Sequence, residues 1–164
     1  MNQAWAMDLV ADELFNGRRI RALTVVDHFS REALAIDVDH RLRGEDIVAA
    51  MERLRLERGC PQRIQVDNGS EFISRDLDLW AYANNVTLDF PRPGKPTDNG
   101  FIEAFKSKLR AECLNTHWFM SLADAREKLE AWRRDYNEVR PHSAIGYNVP
   151  ADLHNHRGPA SPPP

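Results

Sequence analysis

Cysteine is scarce in this chain: Cys60 and Cys113 are the only two in 164 residues, and no CxxC pair occurs. That excludes a disulfide framework and a cysteine zinc site, and it suits a reducing compartment. Long apolar runs are missing as well. No stretch approaches the roughly 18 consecutive apolar residues that a membrane helix needs. The opening MNQAWAMDLV has no basic region ahead of an apolar core, so nothing reads as an export signal. A soluble, cytoplasmic chain with no membrane partner is expected. Internal repeats are absent. An excess of positive charge is absent too: 22 Lys and Arg against 25 Asp and Glu give a formal net charge of −3. Nucleic-acid binders ordinarily carry the opposite balance, because phosphate contacts call for Lys and Arg. A hydrophobic content of 42% supplies one core, and 164 residues leave no room for two comfortable domains.

What is present reads as strands first and alternation later. AWAMDLV (4–10), RRIRALTVVDH (18–28) and EALAIDV (32–38) are runs rich in apolar and β-branched residues. Asn16-Gly17, between the first two, is a hairpin pair because both residues tolerate positive φ, so an antiparallel meander is expected. In GEDIVAAMERLRLERG (44–59), Ile47, Val48, Met51 and Leu54, with Leu56 as a further candidate, recur at helical spacing until Gly59-Cys60-Pro61 stops the run. RIQVD (63–67) predicts a short buried strand, a second helix follows over about 74–84, and VTLDF (86–90) predicts another strand. PRPGKPTDNG is a loop by composition. Two helices close the domain, over about 99–114 and 122–138. The second has Ser121 as its N-cap, with Leu122, Ala125, Leu129, Trp132 and Tyr136 near one face. Residues 1–150 form one domain, and 151–164, ending GPASPPP, are expected to be a disordered proline-rich tail.

The order β-β-β-α-β-α-β-α-α predicts an α/β fold, a five-stranded mixed sheet flanked by helices. A crossover through the helix at 44–59 places the strand at 63–67 beside the first strand and parallel to it. Asp8 and Asp67 then come close together at or near the carboxyl ends of their strands, where open α/β sheets put their sites. Asp98 or Glu103, at the start of the next helix, completes a cluster of acids.

Converging carboxylates repel unless cations hold them. Hard oxygen ligands at an open site suit Mg²⁺ or Mn²⁺, and two such ions about 3.5 to 4 Å apart stabilise the attacking and the leaving oxygen of a phosphodiester displacement. Two divalent ions would bring the formal charge from −3 to +1, so the loaded domain need not repel DNA. Lys106, Lys108 and Arg110 then read as phosphate contacts on a helix that starts at the acids. The same residues have a plainer reading. With 25 acids in 164 residues a carboxylate at any chosen spacing is unremarkable. Asp67-Asn68-Gly69 and Asp98-Asn99-Gly100 are turn formers, Asp98 is an N-cap, Glu103 is a solvated acid in a first helical turn, and the cations are a wet face.

Four quoted runs bear on that choice: MDL, VDNGSEF, PGKPTDNGFIEAFKSKLRAECLN and YNEVRPHSAIGY. Together they resemble the catalytic chain of bacterial insertion-sequence transposases of the IS-three family, in the retroviral-integrase superfamily. The similarity runs from about Trp5 to Leu153. That family separates the second Asp and the Glu of its DDE signature by 35 residues, and 35 residues separate Asp67 and Glu103. The resemblance implies a ribonuclease-H-like fold, in agreement with the strand order. It carries catalysis and metal binding onto Asp8, Asp67 and Glu103, with Asp98 left as the cap, and Arg110 matches the basic residue that the family keeps seven positions after its Glu. At the second acid many relatives carry a run more like SDRGSQY, so VDNGSEF marks a subgroup.

The activity so implied is metal-dependent cleavage and strand transfer of DNA during transposition. It needs two Mg²⁺ or Mn²⁺ ions and takes transposon ends and target DNA as partners, with several copies of the chain assembled on the DNA in the bacterial nucleoid. Two alternatives keep the acids: a hydrolytic ribonuclease-H-like nuclease, and an inactive DNA-binding or assembly remnant. Asn68, Gly69 and Asn99 shape their loops or touch substrate. Arg140 and His142, in RPHSAIGY, either touch DNA or pin the last helix. Among aromatics, Trp80, Trp118, Trp132 and Phe105 read as core, with Trp118 and Phe119 as the one alternative candidate for an exposed pair. Asp8 stands so near the start that the family's N-terminal DNA-reading module is expected to be missing.

Overall fold

The computed structural model describes residues 3–66, 72, 74–90 and 100–138. Strands β1 (Ala4–Glu13), β2 (Arg19–Asp27) and β3 (Ala33–Asp39) form the expected antiparallel meander. The turn between β1 and β2 closes with Leu14 N–H donating to the Arg18 carbonyl at 2.8 Å. Only Gly17 uses a positive φ there, at 86°, while Asn16 contributes its side chain, accepting from Arg18 N–H at 3.0 Å.

Helix α1 (Gly44–Arg58) crosses over to β4 (Arg63–Val66), which pairs parallel with β1 in the register Ala4↔Arg63 to Met7↔Val66. Helix α2 (Arg75–Ala83) then leads to β5 (Thr87–Asp89), parallel to β4, so the five strands lie in the order β3-β2-β1-β4-β5. This is the mixed sheet that the alternation required. Helix α3 (Gly100–Leu109) continues as a π-helical turn over Arg110–Leu114, and α4 (Leu122–Glu138) closes the described chain. The predicted boundary at residue 150 and the proline-rich tail lie outside the described residues.

The strand pleat sends alternate side chains to opposite faces. Both faces of this sheet are covered, so β1 is apolar on both. Trp5 and Met7 pack with Ile47, Met51, Leu54 and Leu77 under α1 and α2. Ala6 and Val10 pack with Ile102, Phe105, Leu109, Leu129 and Trp132 under α3 and α4. Trp80, Phe105 and Trp132 are core residues, as expected. Leu56 is not: it is 74% exposed, because two residues on from Leu54 is about 200° round the helix and faces water. Ser121 caps α4 by accepting from Asp124 N–H at 3.0 Å.

Candidate active site

Asp8 stands in β1 on the face that carries Ala6 and Val10, beneath α3. Expected near the carboxyl end of its strand, it lies instead mid-strand, because β1 runs on to Glu13 to pair with β2. What ends near it is the parallel pairing. The β1–β4 register stops at Met7↔Val66, so the next residues along the two strands are Asp8 and Asp67. Asp67 itself lies outside the described residues, as do Asn68, Gly69, Asp98, Asn99, Arg140 and His142.

Asp8 is only 5% exposed. A buried carboxylate needs partners for its oxygens. Its Oδ1 accepts from the Leu9 backbone N–H at 2.7 Å, and its Oδ2 lies 2.9 Å from the ammonium of Lys106. On the cross-strand side, Thr24 Oγ1 donates to the Asp8 carbonyl at 3.3 Å. The site is therefore tied to the centre of the sheet, where backbone movement is least.

Helix α3 brings the other charges. Ile102, Phe105 and Leu109 bury one face of it, and Phe105 meets Trp132 and Tyr136 edge-on at 5.5 and 5.2 Å between ring centres. At the start of the helix, Phe101 is gripped between the His28 ring, at 4.7 Å, and the Arg31 guanidinium, 4.1 Å from its centroid. Arg31 itself has a positive φ of 64°. Partial burial, then the charges of Arg31 and Arg63, hold His28 below the ordinary imidazole range, so its ring is neutral at neutral pH.

With this anchoring, Glu103 projects from the first turn with its side chain 73% exposed, and its Oε1 is 4.0 Å from the same Lys106 ammonium that binds Asp8. Residues separated by 95 positions in the chain thus share one cation. At about 100° per residue, Glu103, Lys106 and Arg110 fall on one side of α3, while Lys108 lies about 140° round from Glu103. The three cations are not one continuous track. Lys106 turns inward to Asp8, and Lys108 and Arg110 are exposed on different faces.

Among the described residues no three His, Cys, Asp or Glu side chains converge as metal ligands. The donor set nevertheless fits a hard divalent ion. Asp8 is a buried carboxylate already matched by a cation, and Glu103 is an exposed carboxylate on a helix whose other face is buried. The thiols offer no competing site: burial pushes Cys113 up to about 11 and also raises Cys60, which leaves both protonated.

Two features had little signal in the sequence. The inward turn of Lys106 is one of them, since a lysine three residues after a glutamate on a helix also fits an ordinary surface pair. The grip of His28 and Arg31 on Phe101 is the other, because it joins residues that only the fold brings together. Trp118, expected first in the core, is instead 73% exposed, while Phe119 beside it is buried at 1%, and the ring that meets Trp118 edge-on is Phe15 at 5.5 Å.

In sequence and in fold the chain is similar to known proteins. The chain matches the integrase core domain family over residues 1–96 and again over residues 84–150. It is 51% identical over 163 residues to the insertion element IS407 uncharacterized 31.7 kDa protein of Burkholderia multivorans, covering 99% of this chain and 59% of that protein. It is 26% identical over 157 residues to the transposase InsF for insertion sequence IS3A of Escherichia coli, covering 94% of this chain and 54% of that protein. It spans about half the length of such relatives. In three dimensions it is similar to the HTLV-2 integrase catalytic core domain in complex with magnesium, with a TM-score of 0.69, 16% identity, and coverage of 94% of this chain and 97% of that one.

Proposed function

This chain belongs to the integrase core domain family, and on that premise we propose that it is the catalytic core of a bacterial insertion-sequence transposase, cutting and joining DNA strands at the ends of a mobile element. The single observation that carries the reading is the meeting of Asp8 and Glu103 across one ammonium, at 2.9 and 4.0 Å. An acid buried at 5% in a central strand is costly to a fold unless it has work to do.

Asp8, Asp67 and Glu103 would hold one or two Mg²⁺ or Mn²⁺ ions. When bound, such ions activate a water or 3′-hydroxyl and stabilise the leaving 3′-oxygen of the phosphodiester. The residues of the chain supply position. Leu9 N–H holds one Asp8 oxygen at 2.7 Å, and the buried face of α3, with Ile102, Phe105 and Leu109, fixes the helix that carries Glu103. Exposed Lys108 and Arg110 offer phosphate contacts, which orient a strand without reading its sequence. On the same reading Asp98 would cap α3, Asn68, Gly69 and Asn99 would shape their loops or touch substrate, and Arg140 and His142 would touch DNA or pin the last helix; all of them lie outside the described residues. In strand transfer the 3′-oxygen forms a new bond to phosphorus as the old 3′-oxygen leaves and takes up a proton. No covalent enzyme intermediate is needed.

DNA ends and target DNA are the partners, and several copies of the chain assemble on them in the bacterial cytoplasm. Among the described residues no helix is long and apolar enough to cross a membrane.

The deciding experiment incubates the chain with Mg²⁺ and labelled transposon-end duplex and separates joined product from simple hydrolysis. Joined product is expected, lost in Asp8→Asn, Asp67→Asn and Glu103→Gln. Hydrolysis alone would mark a nuclease. Activity that survives all three substitutions would discard the acid cluster as the site.

A further inference from the structure

We infer that Lys106 is an exchangeable counter-ion: it holds the Asp8 oxygen that a divalent ion has to take, and it turns to a phosphate of the bound DNA strand once the ion is there. The inference rests on the reading of Asp8 and Glu103 as metal ligands. Lys106 then has a role that neither a phosphate track nor a surface ion pair describes.

The geometry gives three reasons. First, both oxygens of Asp8 are engaged, Oδ1 by Leu9 N–H at 2.7 Å and Oδ2 by Lys106 Nζ at 2.9 Å. The backbone contact belongs to the strand and stays, so of these two partners the ammonium is the one that can be exchanged. Second, the same Nζ lies 4.0 Å from Glu103 Oε1, which puts one positive charge beside both carboxylates, where their mutual repulsion is greatest. A divalent ion ligated by these oxygens at about 2.0 to 2.1 Å would stand only a few ångströms from that ammonium. Like charges at such range cannot share the site without loss, so the two compete. Third, lysine suits an exchange. Its charge sits at the end of a flexible four-carbon stem with freely turning donors, whereas arginine would hold a carboxylate with a fixed fork. The Lys106 side chain is 22% exposed, so its head has a way out to solvent and to a strand lying along α3.

The ammonium thereby neutralises a buried carboxylate until metal arrives, and the exchange ties metal loading to DNA binding. Displaced from Asp8, Lys106 joins the face that carries Arg110 and adds a phosphate contact. A DNA strand engaging Lys106 would in turn draw it away from Asp8 and open that oxygen to the ion.

Calorimetric titration with Mn²⁺ tests this on the whole chain. Lys106→Met is expected to bind Mn²⁺ more tightly than the wild type, on the order of tenfold, because a competing charge is gone. Lys106→Gln, which still donates a hydrogen bond to Asp8, is expected to show the same direction and guards against misfolding of the first variant. Arg41→Met, an exposed cation just after β3 with no place in the site, is expected to bind like the wild type. Binding of a short labelled duplex gives a second readout. With Ca²⁺ present Lys106→Met is expected to bind several-fold more weakly than the wild type, and with EDTA the two are expected to be equal. An unchanged or weaker Mn²⁺ affinity in both Lys106 variants, beside a wild type that binds Mn²⁺, would overturn the exchange alone. A wild type that takes up no more Mn²⁺ than Asp8→Asn would overturn the metal reading and the exchange together.

Discussion

Asp8 and Glu103 show how two acids at one site come to carry different stability consequences. Asp8 is buried with both oxygens bonded, whereas Glu103 is 73% exposed and meets its cation only at 4.0 Å. Neutralising Glu103 therefore removes little. It forfeits a favourable position in the first turn of a helix, about 0.3 to 1 kcal/mol at most for an exposed acid, and it relieves repulsion between neighbouring carboxylates. Glu103→Gln is expected to melt, without metal, at or slightly above the wild-type temperature, while cleavage and joining disappear. Differential scanning calorimetry beside the strand-transfer assay checks both halves. If Glu103→Gln stays active and Asp98→Ala loses metal-dependent activity at full stability, the third acid is Asp98, and the helix has been read in the wrong register. The spacing of 35 residues between Asp67 and Glu103 was legible in the sequence. The burial of one acid and the exposure of another were not, because burial depends on which elements lie above a residue.

At the level of elements, α3 works because α4 braces it, and α4 is held to the sheet edge by polar contacts as well as by its apolar face. Asn137 is 4% exposed and treats Ala33 as a neighbouring strand would, its Oδ1 accepting from Ala33 N–H and its Nδ2 donating to the Ala33 carbonyl, each at 2.8 Å. Arg133 adds a donor to the same carbonyl at 2.9 Å. Asn137→Ala would leave a buried N–H without its acceptor, and is expected to cost about 1 to 3 kcal/mol in denaturant unfolding. Asn137→Asp, which keeps the acceptor but turns a buried carboxylate oxygen toward the Ala33 carbonyl, is expected to cost at least as much. Equal stability of wild type and Asn137→Ala would show that the apolar face of α4 suffices. The periodicity of Leu122, Ala125, Leu129, Trp132 and Tyr136 is readable one residue at a time. A side chain reaching 104 positions back to pair with a strand is not. The π-helical turn after α3, where Asn115 N–H donates to the Arg110 carbonyl at 2.8 Å, likewise carries no local signature. Such turns are frequent at functional sites and change the face on which the following residues appear.

For the whole molecule the charge balance sets the terms of DNA binding. A net charge of −3 supplies no long-range attraction for a polyanion. On the proposed reading, affinity for DNA would have to come from a few local phosphate contacts and from a bound metal. The isolated chain is expected to bind duplex DNA weakly, with little preference for sequence, and with a shallow salt dependence that reports a handful of released counterions. Fluorescence anisotropy across a salt series measures this. Tight binding to one short sequence at about 150 mM salt would contradict it, since phosphate contacts carry no sequence information.

Periodicity and turn chemistry determined most of the fold, because both are local. Alternating and apolar runs marked all five strands, Asn16-Gly17 marked the hairpin, and the connection through α1 required a parallel partner for β1. Residue types and spacing likewise determined which carboxylates were candidates. Side-chain packing and register decided the rest. They carried β1 past Asp8 to Glu13 and placed the Lys106 ammonium on Asp8. A lysine on a helix is equally compatible in sequence terms with water, phosphate or a buried acid. Only the height and rotation of α3 over the sheet, set by Ile102, Phe105 and Leu109 in the core, bring its charge within 2.9 Å of a carboxylate on the central strand.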